Sequence, residues 1–139
     1  MADGTGTKIG GQANFQGGEY IFKMNSSSAS PHNLEMRDSG KTYLVHCTVA
    51  RTINLPAASA GVSYRFIVTD ATAASTINAE SGVIQGVFTD DNDSTAVSDT
   101  TTINIGTSGA VGDWLYLVSD GTNWYVSGQC QHASAGFTV

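Results

Sequence analysis

Apolar and polar residues alternate in short runs along nearly the whole chain, and Gly, Pro, Asn, Asp or Ser residues separate the runs. A period of two places successive side chains on opposite faces of a β-strand. The pattern therefore predicts nine or ten short strands and no helix beyond one turn over 33–37. The predicted strands are 19–24, 42–50, 52–55, 62–69, 75–78, 83–88, 101–105, two strands within 113–128, and 137–139.

Short amphipathic strands are stable only when their apolar faces pack together in layers. We therefore expect one all-β domain over 19–139, built as a β-sandwich, a jelly-roll-like fold or a small barrel. The run 42–50 is the best candidate for a central strand. Pro56 ends the following strand because proline has no N–H for a ladder, and Gly61 suits the positive φ of the next turn. The polar stretch 89–100 is predicted to be a solvated loop.

The clearest local signal is 113–128, DWLYLVSDGTNWYVSG, in which two aromatic-rich runs flank Asp120-Gly121. This dipeptide is typical of the two-residue type I′ turn of a hairpin. Such a turn pairs Ser119 with Thr122 and Leu117 with Trp124. Both faces of the predicted hairpin carry large apolar groups. We therefore expect one face to pack against the core and the other to be covered by something else, such as a neighbouring subunit.

The second face of this hairpin carries Trp114, Tyr116 and Tyr125, and the predicted turn places Tyr116 opposite Tyr125. The preferred interpretation is an oligomer interface, because aromatic residues are enriched in interfaces. Ordinary core packing in a two-layer fold and a sugar-stacking platform are the alternatives.

The N-terminal segment 1–18, MADGTGTKIGGQANFQGG, is glycine-rich, and its apolar residues Ile9 and Phe15 stand isolated among small polar residues. It cannot bury enough apolar surface to order itself. Two alternatives remain open for it: a disordered tail, or a flexible arm that becomes ordered by placing Ile9 and Phe15 in the grooves of a partner.

Charge is unevenly distributed along the chain, whose formal net charge is −6. All six Lys and Arg residues lie in 1–65, whereas 66–139 has eight Asp or Glu residues and no Lys or Arg. This balance argues against nucleic-acid and anionic-membrane partners. No run reaches the length of a membrane span and the N-terminus lacks a signal-peptide layout, so we expect the protein to remain where it is made. Cys47 and Cys130 are expected to be free thiols.

Patterns typical of catalytic sites are missing from the sequence, including GxSxG, HExxH, CxxC and a P-loop. His32, His46 and His132 have no spacing typical of metal ligands. The cluster 90–93 could supply oxygen ligands to Ca²⁺, but it lacks the glycine and distal glutamate of an EF-hand, so an acidic loop is the preferred interpretation. The sequence therefore predicts a protein with no enzymatic role, cofactor or metal.

Three segments carry a family resemblance: RTINLPAASAGVSYRFIV at 51–68, TINAESGVIQG at 76–86 and WLYLVSDGTNWYVSG at 114–128. In this order they resemble segments of phage structural proteins, chiefly tail and head fibres and capsid decoration, or cement, proteins. The match covers over half of the chain. The positions that recur in the family, where they are structural, are Leu55, Pro56, Gly61, Tyr64, Phe66, Ile77, Gly82, Ile84, Gly86, Asp120, Gly121, Trp124 and Tyr125.

The resemblance implies a β-structured virion module, commonly a homotrimer, that binds protein surfaces. Fibres carry long repeats before their tip, whereas only a short glycine-rich segment precedes this domain, so a capsid decoration protein is the preferred hypothesis. It would be made in the host cytoplasm and bind the major capsid protein on the outer capsid surface of the virion, with Lys8, Ile9, Phe15 and Lys23 as the capsid-binding arm. The alternative is a receptor- or glycan-binding tip of a tail or head fibre, using loop 90–99 and the face of Trp114 and Tyr116.

Overall fold

The computed structural model describes residues 21–25, 27–90, 94–132 and 136–139. Within these ranges the chain forms twelve strands and one 3₁₀ turn, Met36–Asp38, near the helical turn expected over 33–37. The strands are β1 (Ile21–Met24), β2 (His32–Asn33), β3 (Thr42–Cys47), β4 (Arg51–Leu55), β5 (Ser63–Ala71), β6 (Ser75–Ala79), β7 (Ile84–Thr89), β8 (Ser94–Thr100), β9 (Thr102–Ile105), β10 (Trp114–Ser119), β11 (Trp124–Gln129) and β12 (Phe137–Thr138).

The strands form two mixed sheets with a shared core, which confirms the all-β prediction and favours the sandwich among the expected architectures. The larger sheet has the order β1-β3-β5-β10-β11-β7-β8, and the smaller sheet has the order β12-β9-β6-β4-β2. From β1 to β6 the chain alternates between the sheets. Consequently β1, β3 and β5 run parallel in the larger sheet, and β2, β4 and β6 run parallel in the smaller one.

The core lies between the two sheets and combines aromatic and branched aliphatic side chains. In the larger sheet Trp124 is fully buried, and its ring centroid lies 5.9 Å from that of Tyr64. Tyr43 and Phe66 stack with their centroids 5.6 Å apart. The smaller sheet contributes the buried residues Ile53, Leu55, Ile77, Ile103 and Ile105. These residues alternate with outward-facing ones, as the period of two in the sequence requires.

The register of the closing hairpin differs from the predicted one. Ser119 pairs with Trp124 rather than with Thr122, and Leu117 pairs with Val126 rather than with Trp124. The prediction of a two-residue turn at Asp120-Gly121 is therefore wrong: residues 120–123 form a four-residue loop. Because the shift is by two residues, every side chain keeps its predicted face.

Asp120 explains why the longer loop is preferred. One of its carboxylate oxygens, Oδ1, accepts hydrogen bonds from the backbone N–H groups of Thr122 and Asn123, both at 2.8 Å. An Asp side chain that bonds the backbone two residues on replaces part of a turn's own hydrogen bonding. Gly121 follows with φ +104. The dipeptide thus starts a loop that its own carboxylate closes.

Two strands were missed by the sequence pattern. β8 lies within 89–100, which was predicted to be a solvated loop; it pairs antiparallel with β7 at the edge of the larger sheet. Its side chains are polar except for Ala96 and Val97, of which Val97 is buried, and edge strands are commonly polar. β2 has only two residues and lies in a polar connection.

The run 42–50, the best candidate for a central strand, contains β3. This strand lies in the interior of the larger sheet, next to the edge strand β1.

No helix in the described part of the chain has the length and apolar character needed to cross a membrane.

Candidate functional site

The outer face of the larger sheet carries large apolar side chains, although its inner face already packs in the core. Trp114 is 36% exposed, Tyr125 40% and Val87 42%. Trp114 lies beside Ile67 of β5, and Val118 lies between Ser63 of β5 and Tyr125 of β11. We call this the aromatic face; it consists of Ile67, Val87, Trp114, Tyr116, Val118 and Tyr125.

The hairpin loop fixes the position of one ring on this face. The hydroxyl of Tyr125 donates a hydrogen bond to Oδ2 of Asp120 at 3.1 Å. This bond and the negative charge of Asp120 raise the pKa of Tyr125. The backbone N–H groups of Asn123 and then Thr122, which bond the carboxylate, lower the pKa of Asp120. The loop therefore holds the Tyr125 hydroxyl at the end of the aromatic face.

The aromatic face is not flat, because two shallow hollows lie along it. The larger, of about 300 Å³, is lined by Arg65, Ile67, Gly112 and Trp114. The smaller, of about 130 Å³, lies next to it and includes Lys41, Arg65 and Tyr116 in its lining. Aromatic rings beside a guanidinium group are the residue types enriched in protein interfaces. Such hollows suit the protruding side chains of a protein partner.

The structure brings Trp114, Tyr116 and Tyr125 together on this face, although Tyr116 pairs with Ser127 rather than with Tyr125. Their use as an oligomer interface stays a prediction. Of the predicted capsid-binding arm, Lys23 is exposed on β1. Its other residues, Lys8, Ile9 and Phe15, lie outside the described part of the chain.

The structure places the remaining titratable candidates apart. The ring of His32 stacks on Phe22 at a centroid distance of 5.1 Å. Cys47 and Cys130 are free, as predicted, and both are buried; burial raises the pKa of the Cys130 thiol. Among the described residues no three His, Cys, Asp or Glu side chains form a group that could hold a metal ion. Of the cluster 90–93, only Asp90 is within those residues.

The outer face of the smaller sheet has a different chemistry, which the sequence analysis missed. The tripeptide Thr-Ile-Asn occurs three times, at 52–54, 76–78 and 102–104, once in each of the neighbouring strands β4, β6 and β9. Each isoleucine is buried, so each threonine and asparagine faces outward. The repeated Thr-Ile-Asn tripeptide was the feature of the sequence that could have indicated this face. We call this the Thr/Asn face; it consists of Asn33, Thr52, Asn54, Thr76, Asn78, Thr102, Asn104 and Thr138.

Strand register arranges the Thr/Asn face in two rows. One row runs Asn33, Asn54, Asn78, Thr102, and the other runs Thr52, Thr76, Asn104, Thr138. In the first row the amide of Asn54 donates to Oδ1 of Asn33 at 2.8 Å, and the amide of Asn78 donates to Oδ1 of Asn54 at 3.2 Å. The Thr102 hydroxyl continues the row by donating to Oδ1 of Asn78 at 3.2 Å. The amides therefore share one orientation.

Comparison with known proteins adds no assignment to these two faces. No family model matches the chain, and no curated protein matches it. The functional interpretation therefore depends on the chemistry of the faces and on the resemblance carried by the three segments.

Proposed function

We propose that this chain is a structural virion protein, a phage capsid decoration protein that forms homotrimers through its aromatic face and binds the outer shell. The observation that carries the self-association is the exposure of Trp114 and Tyr125 on a sheet whose other face is already buried. Large exposed apolar side chains on one face are a feature of interaction sites in soluble proteins. The resemblance of the three segments to virion proteins supports the trimer and the shell.

The aromatic face is part of a surface whose size is close to that of a standard interface. Seven strands about 4.8 Å apart, each of about six residues at about 3.3 Å per residue, give a sheet face of roughly 600 Å² in plan. A standard interface buries about 800 Å² of accessible surface on each partner, and accessible surface exceeds plan area because side chains protrude. One face of the larger sheet thus approaches the size required.

The arm hypothesis supplies the contact with the shell. In it, Lys8, Ile9 and Phe15 of segment 1–18 bind the major capsid protein together with Lys23 on β1, which is exposed. Three arms on one trimer act together, because after the first arm binds the others are held at high local concentration. Binding that requires the assembled shell stabilises the shell by mass action against internal pressure.

The test measures molar mass by light scattering and the accessibility of Trp114 to acrylamide. We expect three times the 14.4 kDa of the chain, and little quenching, because Trp124 is buried in the fold and Trp114 in the interface. Trp114→Ser combined with Tyr125→Ser is expected to give a folded monomer. Met36→Ser, which removes a side chain that is 57% exposed elsewhere, is the matched control and is expected to stay trimeric.

A wild-type chain that stays monomeric at high concentration, with Trp114 open to quencher, would contradict the self-association. Electron microscopy of the parent particle tests the location, with copies expected across the shell. Deletion of residues 1–18 is expected to abolish shell binding and leave the β domain folded. Full occupancy by the truncated chain would refute the arm.

A further inference from the structure

The Thr/Asn face is uncharged and regular, in a chain whose formal net charge is −6. Its two rows contain only hydroxyl and amide side chains, four residues in each. Strand spacing of about 4.8 Å and a distance of about 6.7 Å between residues i and i+2 place these groups on a grid that spans five strands. The grid extends far enough for an extended ligand lying across the strands.

Solubility alone does not account for this composition. Asn is depleted in β-strands, and exposed strand positions that serve solubility commonly carry charged residues. Here Asn54, Asn78 and Asn104 occupy outward positions on three neighbouring strands. The hydrogen bonds along the rows offset part of the low strand propensity of Asn, but Thr and Val at the same positions would satisfy the sheet without them. The amides also give this face a property that Thr and Val would not, a dense array of hydrogen-bond donors and acceptors.

That capacity is preorganised. A primary amide has two N–H donors and two acceptor lone pairs. In the row through Asn54, the amide uses one N–H toward Asn33 and one lone pair toward Asn78, so one donor and one acceptor remain for a ligand. On the second row the Thr76 hydroxyl donates to Oδ1 of Asn104 at 3.3 Å. Side chains already held by their neighbours lose little rotamer freedom on binding, which favours affinity.

The chemistry that complements such a face is a neutral ligand whose groups both donate and accept hydrogen bonds. The two rows supply no cation, so an anionic ligand would find no opposite charge there to offset its desolvation. We propose that the Thr/Asn face binds a neutral glycan chain lying across the strands, with Asn54, Asn78 and Thr76 at the centre of the site. This inference goes beyond the decoration function and is independent of it, since the aromatic face belongs to the other sheet.

The test is affinity electrophoresis of the full chain in gels containing mannan, dextran or mixed-linkage β-glucan, with anionic alginate as the charged counterpart. We expect retardation by at least one neutral polysaccharide and none by alginate. Thr76→Val combined with Asn78→Leu removes hydroxyl and amide groups but keeps residues that suit strands, so the variant is expected to fold. Loss of two or more hydrogen bonds predicts binding weaker by about tenfold or more.

The control variant combines Ser98→Val and Thr122→Val, which remove two exposed hydroxyls from β8 and the hairpin loop, and it is expected to bind as the wild type does. Three results would overturn the proposal: no retardation by any of the three neutral polysaccharides, retardation by alginate alone, or equal retardation of the Thr76/Asn78 variant. A change in molar mass of that variant would also overturn it, because the face would then join two copies of the chain. None of these results bears on the quenching of Trp114, which tests the decoration function separately.

Discussion

Replacement of Gly86 by alanine tests the packing of two neighbouring parallel strands, β7 and the second strand of the closing hairpin, β11. Gly86 in β7 pairs with Val126 in β11, and its φ is +142. A Cβ at this position would lie 2.0 Å from the carbonyl oxygen of Val126 and 3.0 Å from its nitrogen. The β11 backbone cannot withdraw freely, because β10 holds it on its other side. The methyl group therefore forces β7 and β11 apart.

Two effects set the magnitude of this change. A side chain at such a φ costs about 1–3 kcal/mol in backbone strain, and overpacking of a fixed site costs about 1–3 kcal/mol more. Gly86→Ala is thus expected to lower the free energy of unfolding by about 2–6 kcal/mol, a large share of the roughly 5–15 kcal/mol typical of a domain. The matched control is Gly61→Ala. Gly61 has φ +83, but no atom lies within 4 Å of its added Cβ, so only the strain remains.

The assay is urea denaturation at equilibrium, followed by tryptophan fluorescence, which changes on unfolding because Trp124 is buried at the start of β11. The midpoint of Gly86→Ala is expected to lie well below that of Gly61→Ala, and that of Gly61→Ala below the wild type by the strain alone. A Gly86→Ala chain that does not fold, beside a folded Gly61→Ala chain, is the same result in its extreme form. Equal midpoints for the two variants would refute the close approach of β7 to β11.

Two further predictions concern pH. Backbone N–H groups of Asn123 and Thr122 hold the pKa of Asp120 below its ordinary value of 3.8. The unfolded chain therefore binds more protons in acid, and stability falls as pH drops below about 4. The variant Asp120→Asn is expected to lose less stability than the wild type between pH 5 and pH 2, measured by thermal unfolding. Parallel curves of melting temperature against pH for the two proteins would contradict this. Burial, and then the charge of Asp38, raise the pKa of Tyr64 to about 12 from 10.0. The folded chain thus keeps a proton that the unfolded chain loses, and stability falls as pH rises above about 10. The variant Tyr64→Phe removes the contribution of Tyr64 to this alkaline loss. At pH 7 it costs about 1 kcal/mol, because the hydroxyl of Tyr64 donates a hydrogen bond to the carbonyl of Glu35 at 2.8 Å. Denaturation midpoints of the wild type and of Tyr64→Phe at pH 7 and pH 10.5 measure the cost at neutral pH and the alkaline loss. A loss between these two pH values that is equal in the two proteins would exclude Tyr64 as a source.

Sequence periodicity determined which residues share a face, because side-chain direction in a strand depends only on the local backbone. The positions of Trp114, Tyr116 and Tyr125 on one outer face followed from it and survived a hairpin register that was wrong by two residues. The all-β class followed in the same way. β8 was missed because its polar residues look like a loop, and only pairing with β7 makes them a strand.

Apart from the pairing of β10 with β11, which the sequence predicted as a hairpin, only the tertiary structure decided which strands are neighbours. Nothing local in Thr-Ile-Asn indicates that its three copies lie side by side, since the hydrogen bonds that align them join residues about 24 apart in sequence, as from Asn54 to Asn78 and from Asn78 to Thr102. The parallel pairing of β3 with β5 and of β4 with β6 likewise depends on the chain crossing from one sheet to the other. The face on which a side chain lies depends on the backbone at that residue, whereas the order of the strands is settled only when the whole core packs. The Thr/Asn face therefore exists only in the folded chain.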